Sequence, residues 1–132
     1  MAYDCTDNYP HASGYCSVGV CQMGACALGW GDCTAASGCE TDLTSSLANC
    51  GGCGDACSAA NGTPTCSGGA CTIACSVGYS DCSSDENVSR DGCETLSSND
   101  LSNCGGCGTV CDDLAANAAP ICNTGICEHT CD

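Results

Sequence analysis

Asn49-Cys50-Gly51-Gly52-Cys53-Gly54 recurs as Asn103-Cys104-Gly105-Gly106-Cys107-Gly108, 54 residues later (49 to 103). At the same offset Gly38-Cys39-Glu40-Thr41 returns as Gly92-Cys93-Glu94-Thr95, and Cys57 falls on Cys111. Gly29-Trp30-Gly31-Asp32-Cys33 matches Gly78-Tyr79-Ser80-Asp81-Cys82 at an offset of 49 (33 to 82), so the second copy carries five extra residues (54 less 49) around Ser83–Asp91. A third set of equivalents is Cys16-Ser17-Val18-Gly19-Val20-Cys21, Cys66-Ser67-Gly68-Gly69-Ala70-Cys71 and Cys122-Asn123-Thr124-Gly125-Ile126-Cys127. Self-similarity at a fixed period marks a series of like units that pack mainly on their neighbours. The chain reads as about two and a half copies of one eight-cysteine unit: residues 1–49 a partial repeat, 50–103 a full one, and 104–132 a second partial one.

The composition says what can hold such units together. The 132 residues include 20 Cys, 18 Gly and no Phe, and Leu, Ile and Val together number only 14. A chain this poor in large apolar groups cannot offset the entropy of ordering its backbone by hydrophobic burial alone. Disulfides, which restrict the unfolded ensemble, supply the missing term. The expected class is therefore a small disulfide-rich fold: tandem repeats of short β-hairpins and loops, elongated, with little helix. Thr65–Thr72, with Gly68-Gly69 at its centre, reads as a tight hairpin, and Asn123-Thr124-Gly125 repeats the signal. Cys66 and Cys71 would face each other across that ladder. Leu43–Ala48 and Leu114–Ala119 offer at most a helical turn or two, because no segment sustains a 3.6-residue period.

If every cysteine is bridged and bonds stay local, alternating tetrads tile the chain. These are Cys5, Cys16, Cys21 and Cys26; Cys33, Cys39, Cys50 and Cys53; Cys57, Cys66, Cys71 and Cys75; Cys82, Cys93, Cys104 and Cys107; and Cys111, Cys122, Cys127 and Cys131. Each tetrad allows three connectivities; first-to-third with second-to-fourth is the one favoured here.

The motifs N-C-G-G-C-G-x-x-C, C-x-x-G-x-C, G-x-x-D-C and G-C-E-T, as they stand from Cys16 to Asp132, resemble the cysteine-rich tandem repeat of large secreted and cell-surface proteins of the myxobacterial type. A looser likeness, through C-G-x-C-G alone, is to the plant stigma-specific cysteine-rich family. The first resemblance implies a spacer, stalk or adhesion segment and carries no catalytic residues with it. Two departures are the five-residue insertion before Cys93 and the lack of a CGGC ahead of Cys5.

Charge removes whole classes of partner. Sixteen acidic residues face one basic residue, Arg90, for a net charge of −15. Phosphate recognition needs a basic face, so nucleic acid is not expected as a partner, and neither is an anionic lipid surface. No stretch approaches the length of an apolar membrane span, so membrane insertion is not expected either. Met1–Pro10 has neither the basic start nor the apolar run of a signal peptide, and the expectation is a trimmed chain of the extracellular space or cell surface.

The CGGC pairs Cys50/Cys53 and Cys104/Cys107 invite a redox or zinc reading. A redox dithiol needs a helix N-terminus behind its first cysteine, and Gly-Gly-Cys-Gly does not start one. Zinc wants two such pairs in one compact site. Structural disulfides are the favoured reading. Asp32 and Asp81, like Glu40 and Glu94, recur in matching places; such side chains ordinarily bond turn backbone. The densest oxygen cluster, Asp81, Asp85, Asn87 and Asp91, is a calcium candidate without EF-hand spacing. No cofactor is expected, with calcium as the alternative. Asn61-Gly62-Thr63 and Asn87-Val88-Ser89 are glycosylation sequons, which would make the chain a glycoprotein. Trp30 and Tyr79 are equivalent and read as small core plugs rather than sugar-stacking platforms, while His11 and His129 read as surface residues.

No catalytic constellation emerges, and the chain is not expected to be an enzyme. The leading function is an extracellular structural or adhesive module, a rigid disulfide-stapled rod or fibre segment. Its partners would be further copies of itself in a fibre, carbohydrate, or other surface proteins. The alternatives are a calcium- or cation-binding surface module and an ice-binding protein. For ice binding the sequence supplies a single Thr-x-Thr, Thr63-Pro64-Thr65.

Overall fold

The computed structural model describes residues 5, 7–83, 91–112 and 118–131. It contains no helix among them and is built from hairpins: β1 (Ala12–Ser17) with β2 (Val20–Cys26), β5 (Gly62–Ser67) with β6 (Ala70–Cys75), and β7 (Ala118–Asn123) with β8 (Ile126–Cys131). The smallest sheet pairs β3 (Trp30–Gly31) with β4 (Thr41–Asp42). Its counterpart in the second copy shrinks to a single bridge, Ser80 with Thr95, at the equivalent position. This is the small disulfide-rich hairpin fold expected from composition. The helical turns expected for Leu43–Ala48 do not form; that stretch is non-helical turns, and residues 114–117 of the other candidate lie outside the described residues.

Each long hairpin turns through two residues with positive φ: Val18 (50°) and Gly19 (74°), Gly68 (60°) and Gly69 (80°), Thr124 (49°) and Gly125 (80°). Two successive left-handed residues are the type I′ turn, whose twist matches that of the flanking strands. The ladders pair Cys16 with Cys21 and Cys122 with Cys127 directly across the strands.

Among the described residues nine disulfides join Cys5–Cys21, Cys26–Cys39, Cys33–Cys53, Cys50–Cys66, Cys57–Cys71, Cys75–Cys93, Cys82–Cys107, Cys104–Cys122 and Cys111–Cys127. The local tetrads are thereby corrected. Cys26–Cys39, Cys50–Cys66, Cys75–Cys93 and Cys104–Cys122 all cross the proposed tetrad boundaries. Where a bridge stays inside a tetrad it joins first to third (Cys5–Cys21, Cys57–Cys71, Cys111–Cys127) or first to fourth (Cys33–Cys53, Cys82–Cys107). Nor is every cysteine bridged: Cys16 is a free, exposed thiol. The side chain of Cys131 lies outside the described ones.

Four pairing relations generate eight of these bridges, and Cys5–Cys21 repeats the Cys57–Cys71 relation. The first cysteine of CGGC bonds the first cysteine of the following hairpin, and the second bonds the cysteine of the preceding G-x-x-D-C. The cysteine after CGGC bonds the second hairpin cysteine, and the cysteine closing the hairpin bonds that of G-C-E-T. Every described apolar residue that is buried is a cysteine: Cys39, Cys50 and Cys93 are fully enclosed, with Cys5, Cys66, Cys71, Cys104 and Cys111 nearly so. Leu28, Val77 and Val18 are fully exposed, so sulfur does the packing that aliphatic side chains do elsewhere.

The chain forms two compact units: Met1–Cys57 with Thr65–Cys71, and Ser58–Pro64 with Thr72–Asp132. The division falls inside the β5–β6 hairpin rather than at the CGGC motifs. The tip of that hairpin is bonded to the first unit's CGGC loop through Cys50–Cys66 and Cys57–Cys71, whereas its base is bonded to Cys93 of the second through Cys75.

Candidate functional site

The CGGC loop has the same internal wiring in both units. Asn49 Oδ1 accepts the Gly54 N–H at 2.9 Å, and Asn103 Oδ1 accepts the Gly108 N–H at 2.9 Å. The Cys50 N–H donates to the Asp55 carbonyl and the Cys104 N–H to the Thr109 carbonyl. The next cysteine donates back to a leucine, Cys57 to Leu47 and Cys111 to Leu101. The asparagine amide is itself steered: Asn49 Nδ2 donates to Ser46 Oγ at 3.3 Å, and Asn103 Nδ2 to Asp100 Oδ2 at 2.7 Å. That bond from Asn103, with the Ser102 N–H on the other oxygen, holds the Asp100 carboxyl below the usual carboxylate range. Gly51, Gly54, Gly105 and Gly108 all have positive φ, between 71° and 82°. This is why glycine flanks each cysteine: the loop runs through left-handed conformations that a Cβ disfavours.

On this loop sits the tip of the next hairpin. The Gly51 N–H bonds the Leu43 carbonyl at 2.9 Å and the Gly69 N–H reaches the Thr44 carbonyl at 3.4 Å. In the second unit the Gly105 N–H bonds Ser97 at 2.8 Å, and the Gly125 N–H bonds Ser98 at 3.0 Å. Beside each junction opens a cleft. The first, of about 530 Å³, is lined by Leu28, Gly29, Leu43, Thr44, Gly51, Gly68 and Gly69. The second, of about 550 Å³, includes the equivalent Val77, Gly78, Ser97, Ser98, Gly105, Thr124 and Gly125. A fully exposed aliphatic side chain, Leu28 or Val77, stands at the rim of each. Backbone, hydroxyls and aliphatic groups line both clefts, and the second adds Tyr79 and the disulfide-bonded Cys75.

The CGGC sulfurs are all bonded, each to a different distant cysteine. The Sγ atoms of Cys50, Cys57 and Cys71 lie within 4.8 Å of one another, as do those of Cys104, Cys111 and Cys127. These are stacked disulfides, and they offer no thiolate for redox or metal chemistry.

The recurring acids fix turns. Glu40 Oε1 accepts the Thr34 N–H and Glu94 Oε1 the Cys82 N–H, both at 2.9 Å. The Thr34 hydroxyl, and then backbone N–H groups, hold the Glu40 carboxyl below its ordinary range. Of the calcium candidates, Asp85 and Asn87 lie outside the described residues. Asp81 and Asp91 come together, and with Glu94 their carboxylate oxygens lie within 4.8 Å of one another. Glu94 is the member that the sequence reading left out of that cluster; its signal was the repeat position it shares with Glu40. Of the sequon asparagines, Asn61 spends its Nδ2 on the Cys93 carbonyl at 3.0 Å, and Asn87 lies outside the described residues.

Neither Trp30 nor Tyr79 is a core plug; both are half-buried. Trp30 is covered on one face by His11, with ring centroids 3.4 Å apart and planes 7° from parallel. His11 is exposed, as a surface residue would be, yet it has a ring partner, and it occupies a repeat position. The His11 carbonyl accepts the Ala27 N–H exactly as that of Asn61 accepts the Ser76 N–H, and both residues are left-handed at φ 51° and 52°. His129 Nε2 lies 3.0 Å from the Asp112 carbonyl. What sequence reasoning missed was Asn49 and Asn103, which it quoted as part of a motif without giving the amide oxygen its work of closing the loop. No protein-family model matches the chain, and no curated protein or solved structure is detectably similar to it.

Proposed function

We propose that the chain is an extracellular structural or adhesive module, a disulfide-stapled segment of the secreted and cell-surface repeat type that its motifs resemble. The observation that carries this reading is the core itself. Every buried apolar side chain described is a cysteine, and each second and third hairpin tip is welded to a CGGC loop. Such a unit needs an oxidising environment and holds its shape by covalent bonds. It presents the same cleft twice, with Leu28 or Val77 at its rim, which favours multivalent contact over single-site affinity. The test is proteolysis by pepsin and elastase before and after reduction. The intact protein should survive while the reduced one is digested, and equal digestion of both would defeat the reading. Adhesion is tested on Leu28→Ser/Val77→Ser protein, which should lose retention on any surface that holds the native chain.

A calcium-binding surface module is the second reading, favoured by the convergence of Asp81, Asp91 and Glu94. Titration calorimetry with calcium decides it, and no heat in the micromolar to millimolar range would end it.

A further inference from the structure

Two disulfides lie side by side at each junction of a hairpin with its CGGC loop. At the first they are Cys50–Cys66 and Cys57–Cys71, at the second Cys104–Cys122 and Cys111–Cys127. The Cys104 Sγ lies within 4.8 Å of both sulfurs of the Cys111–Cys127 bridge, and the Cys50 Sγ stands in the same relation to Cys57–Cys71. A thiolate set free on one bridge therefore has a sulfur of the other beside it.

The strand register adds a second neighbour. Cys122 faces Cys127 directly across the β7–β8 ladder, one pair in from Asn123 and Ile126, which flank the two-residue turn. That place in a two-residue hairpin is a non-hydrogen-bonded pair, with Cα atoms about 4.5 Å apart, inside the range that a disulfide spans. The four sulfurs of the second junction can thus be joined in two ways. One is the observed pairing of hairpin to loop; the other is Cys104–Cys111 within the loop segment and Cys122–Cys127 within the hairpin. The junctions differ in access. At the second, Cys127 is exposed and Cys122 half-buried, above buried Cys104 and Cys111. At the first, Cys50, Cys66 and Cys71 are all buried and Cys57 is half-buried.

We propose that the second junction is a disulfide-exchange switch: an external thiol entering at Cys127 converts the observed pair of bridges into Cys104–Cys111 and Cys122–Cys127, releasing the β7–β8 hairpin from its CGGC loop. None of the four sulfurs is a thiolate at rest, so the first nucleophile is a low-molecular-weight thiolate. It attacks the Cys127 sulfur, forms a mixed disulfide there and expels the Cys111 thiolate. Cys111 attacks the adjacent Cys104 sulfur, forming Cys104–Cys111 and expelling the Cys122 thiolate. Cys122 attacks the Cys127 sulfur opposite it, closes the cross-strand bridge and returns the small thiolate. Two disulfides are present before and after, and the thiol is a catalyst. The docked pairing is the resting state, because the Gly125 N–H bond to Ser98 and the seat of Gly125 on Gly105 hold the hairpin on the loop. After exchange only those non-covalent contacts remain to hold it.

The test uses the full oxidised chain, its free thiols capped with iodoacetamide, incubated with reduced and oxidised glutathione and quenched in acid. Tandem mass spectrometry of a peptic digest should find Cys104–Cys111 and Cys122–Cys127 in about 1–10% of molecules, at unchanged intact mass. Their rate of appearance should rise about ten-fold for ten-fold more thiol, and Cys50–Cys57 with Cys66–Cys71 should form at least about ten-fold more slowly. Cys16→Ser/Cys127→Ala protein, in which Cys111 is left as a thiol beside Cys104–Cys122, should form Cys104–Cys111 with no added thiol. The Gly125 amide of that exchanged species should exchange faster with solvent than in the native chain. Cys111→Ala/Cys127→Ala protein keeps Cys104–Cys122 but has no relay, and should lose that bridge by net reduction alone. Net reduction of the native chain with neither exchanged bridge formed, equal exchange rates at the two junctions, or no Cys104–Cys111 bridge in folded Cys16→Ser/Cys127→Ala protein would each overturn the proposal.

Discussion

Gly125 rests directly on Gly105: a Cβ built at Gly105 would stand 2.4 Å from the Gly125 carbonyl oxygen. That approach brings Cys122 within bonding reach of Cys104, and it is repeated by Gly69 on Gly51. Gly105→Ala meets both a backbone clash and a left-handed φ of 76°, while Gly108→Ala meets only the φ of 71° with nothing within 4 Å. The left-handed backbone costs each variant about 1–2 kcal/mol, and the clash should cost Gly105→Ala about 1–3 kcal/mol more. Denaturant unfolding of the two variants side by side measures the difference.

Disulfide mapping separates the observed pairing from any local scheme. Digestion of the non-reduced protein should yield Cys50 linked to Cys66 and Cys104 linked to Cys122, with Cys16 alkylated. Removing one bridge as the pair Cys50→Ala/Cys66→Ala should lower stability by about 2–4 kcal/mol. Cys16→Ser, on an exposed strand face, should stay within about 0.5 kcal/mol of the native chain.

The loop-closing asparagine can be tested alone. Asn103→Ala removes the acceptor of the Gly108 N–H and the donor to Asp100, and should cost about 1–2 kcal/mol. Hydrogen exchange at the Gly108 amide should speed up before global unfolding does, and an unchanged Gly108 rate would remove the asparagine from the loop's support.

Asp42 supplies the pH dependence. The Ser45 hydroxyl, and then the Thr44 hydroxyl and N–H, lower its carboxyl from 3.8 to about 2. A carboxylate with a depressed folded value binds its proton more readily in the unfolded chain. It therefore stabilises the fold above the unfolded value, and that contribution is lost as pH falls through the folded one. Thermal melts of Asp42→Asn should lie below those of the native chain at neutral pH and converge with them between about pH 4 and pH 2. A gap that is constant with pH would place the effect elsewhere.

Val18 is a β-branched residue in the left-handed region at φ 50°, fully exposed. Val18→Asn, a residue that tolerates this backbone, should raise stability by about 1 kcal/mol in the same melts.

The repeat alone made the fold class and the hairpins legible. Gly68-Gly69 and Thr124-Gly125 demand tight turns by their chemistry, and the scarcity of Leu, Ile and Val left disulfides as the source of the core. Local signals of that kind survive in any context, because they depend on one residue's backbone freedom or on composition. The pairing was legible only in its first-to-third bridges, Cys5–Cys21, Cys57–Cys71 and Cys111–Cys127, since the bridges close loops with separations from 13 to 25 residues. Over that range the entropy of closure changes too little to favour one partner over another. The choice rests on which cysteines come within reach once a hairpin tip lies on a glycine loop, as Gly125 lies on Gly105. The same approach decided that Cys66 and Cys122 are bonded and Cys16 is free, although all three stand in one sequence pattern. A cysteine's residue type makes it available for a bridge, and only the tertiary contact at its tip supplies the partner.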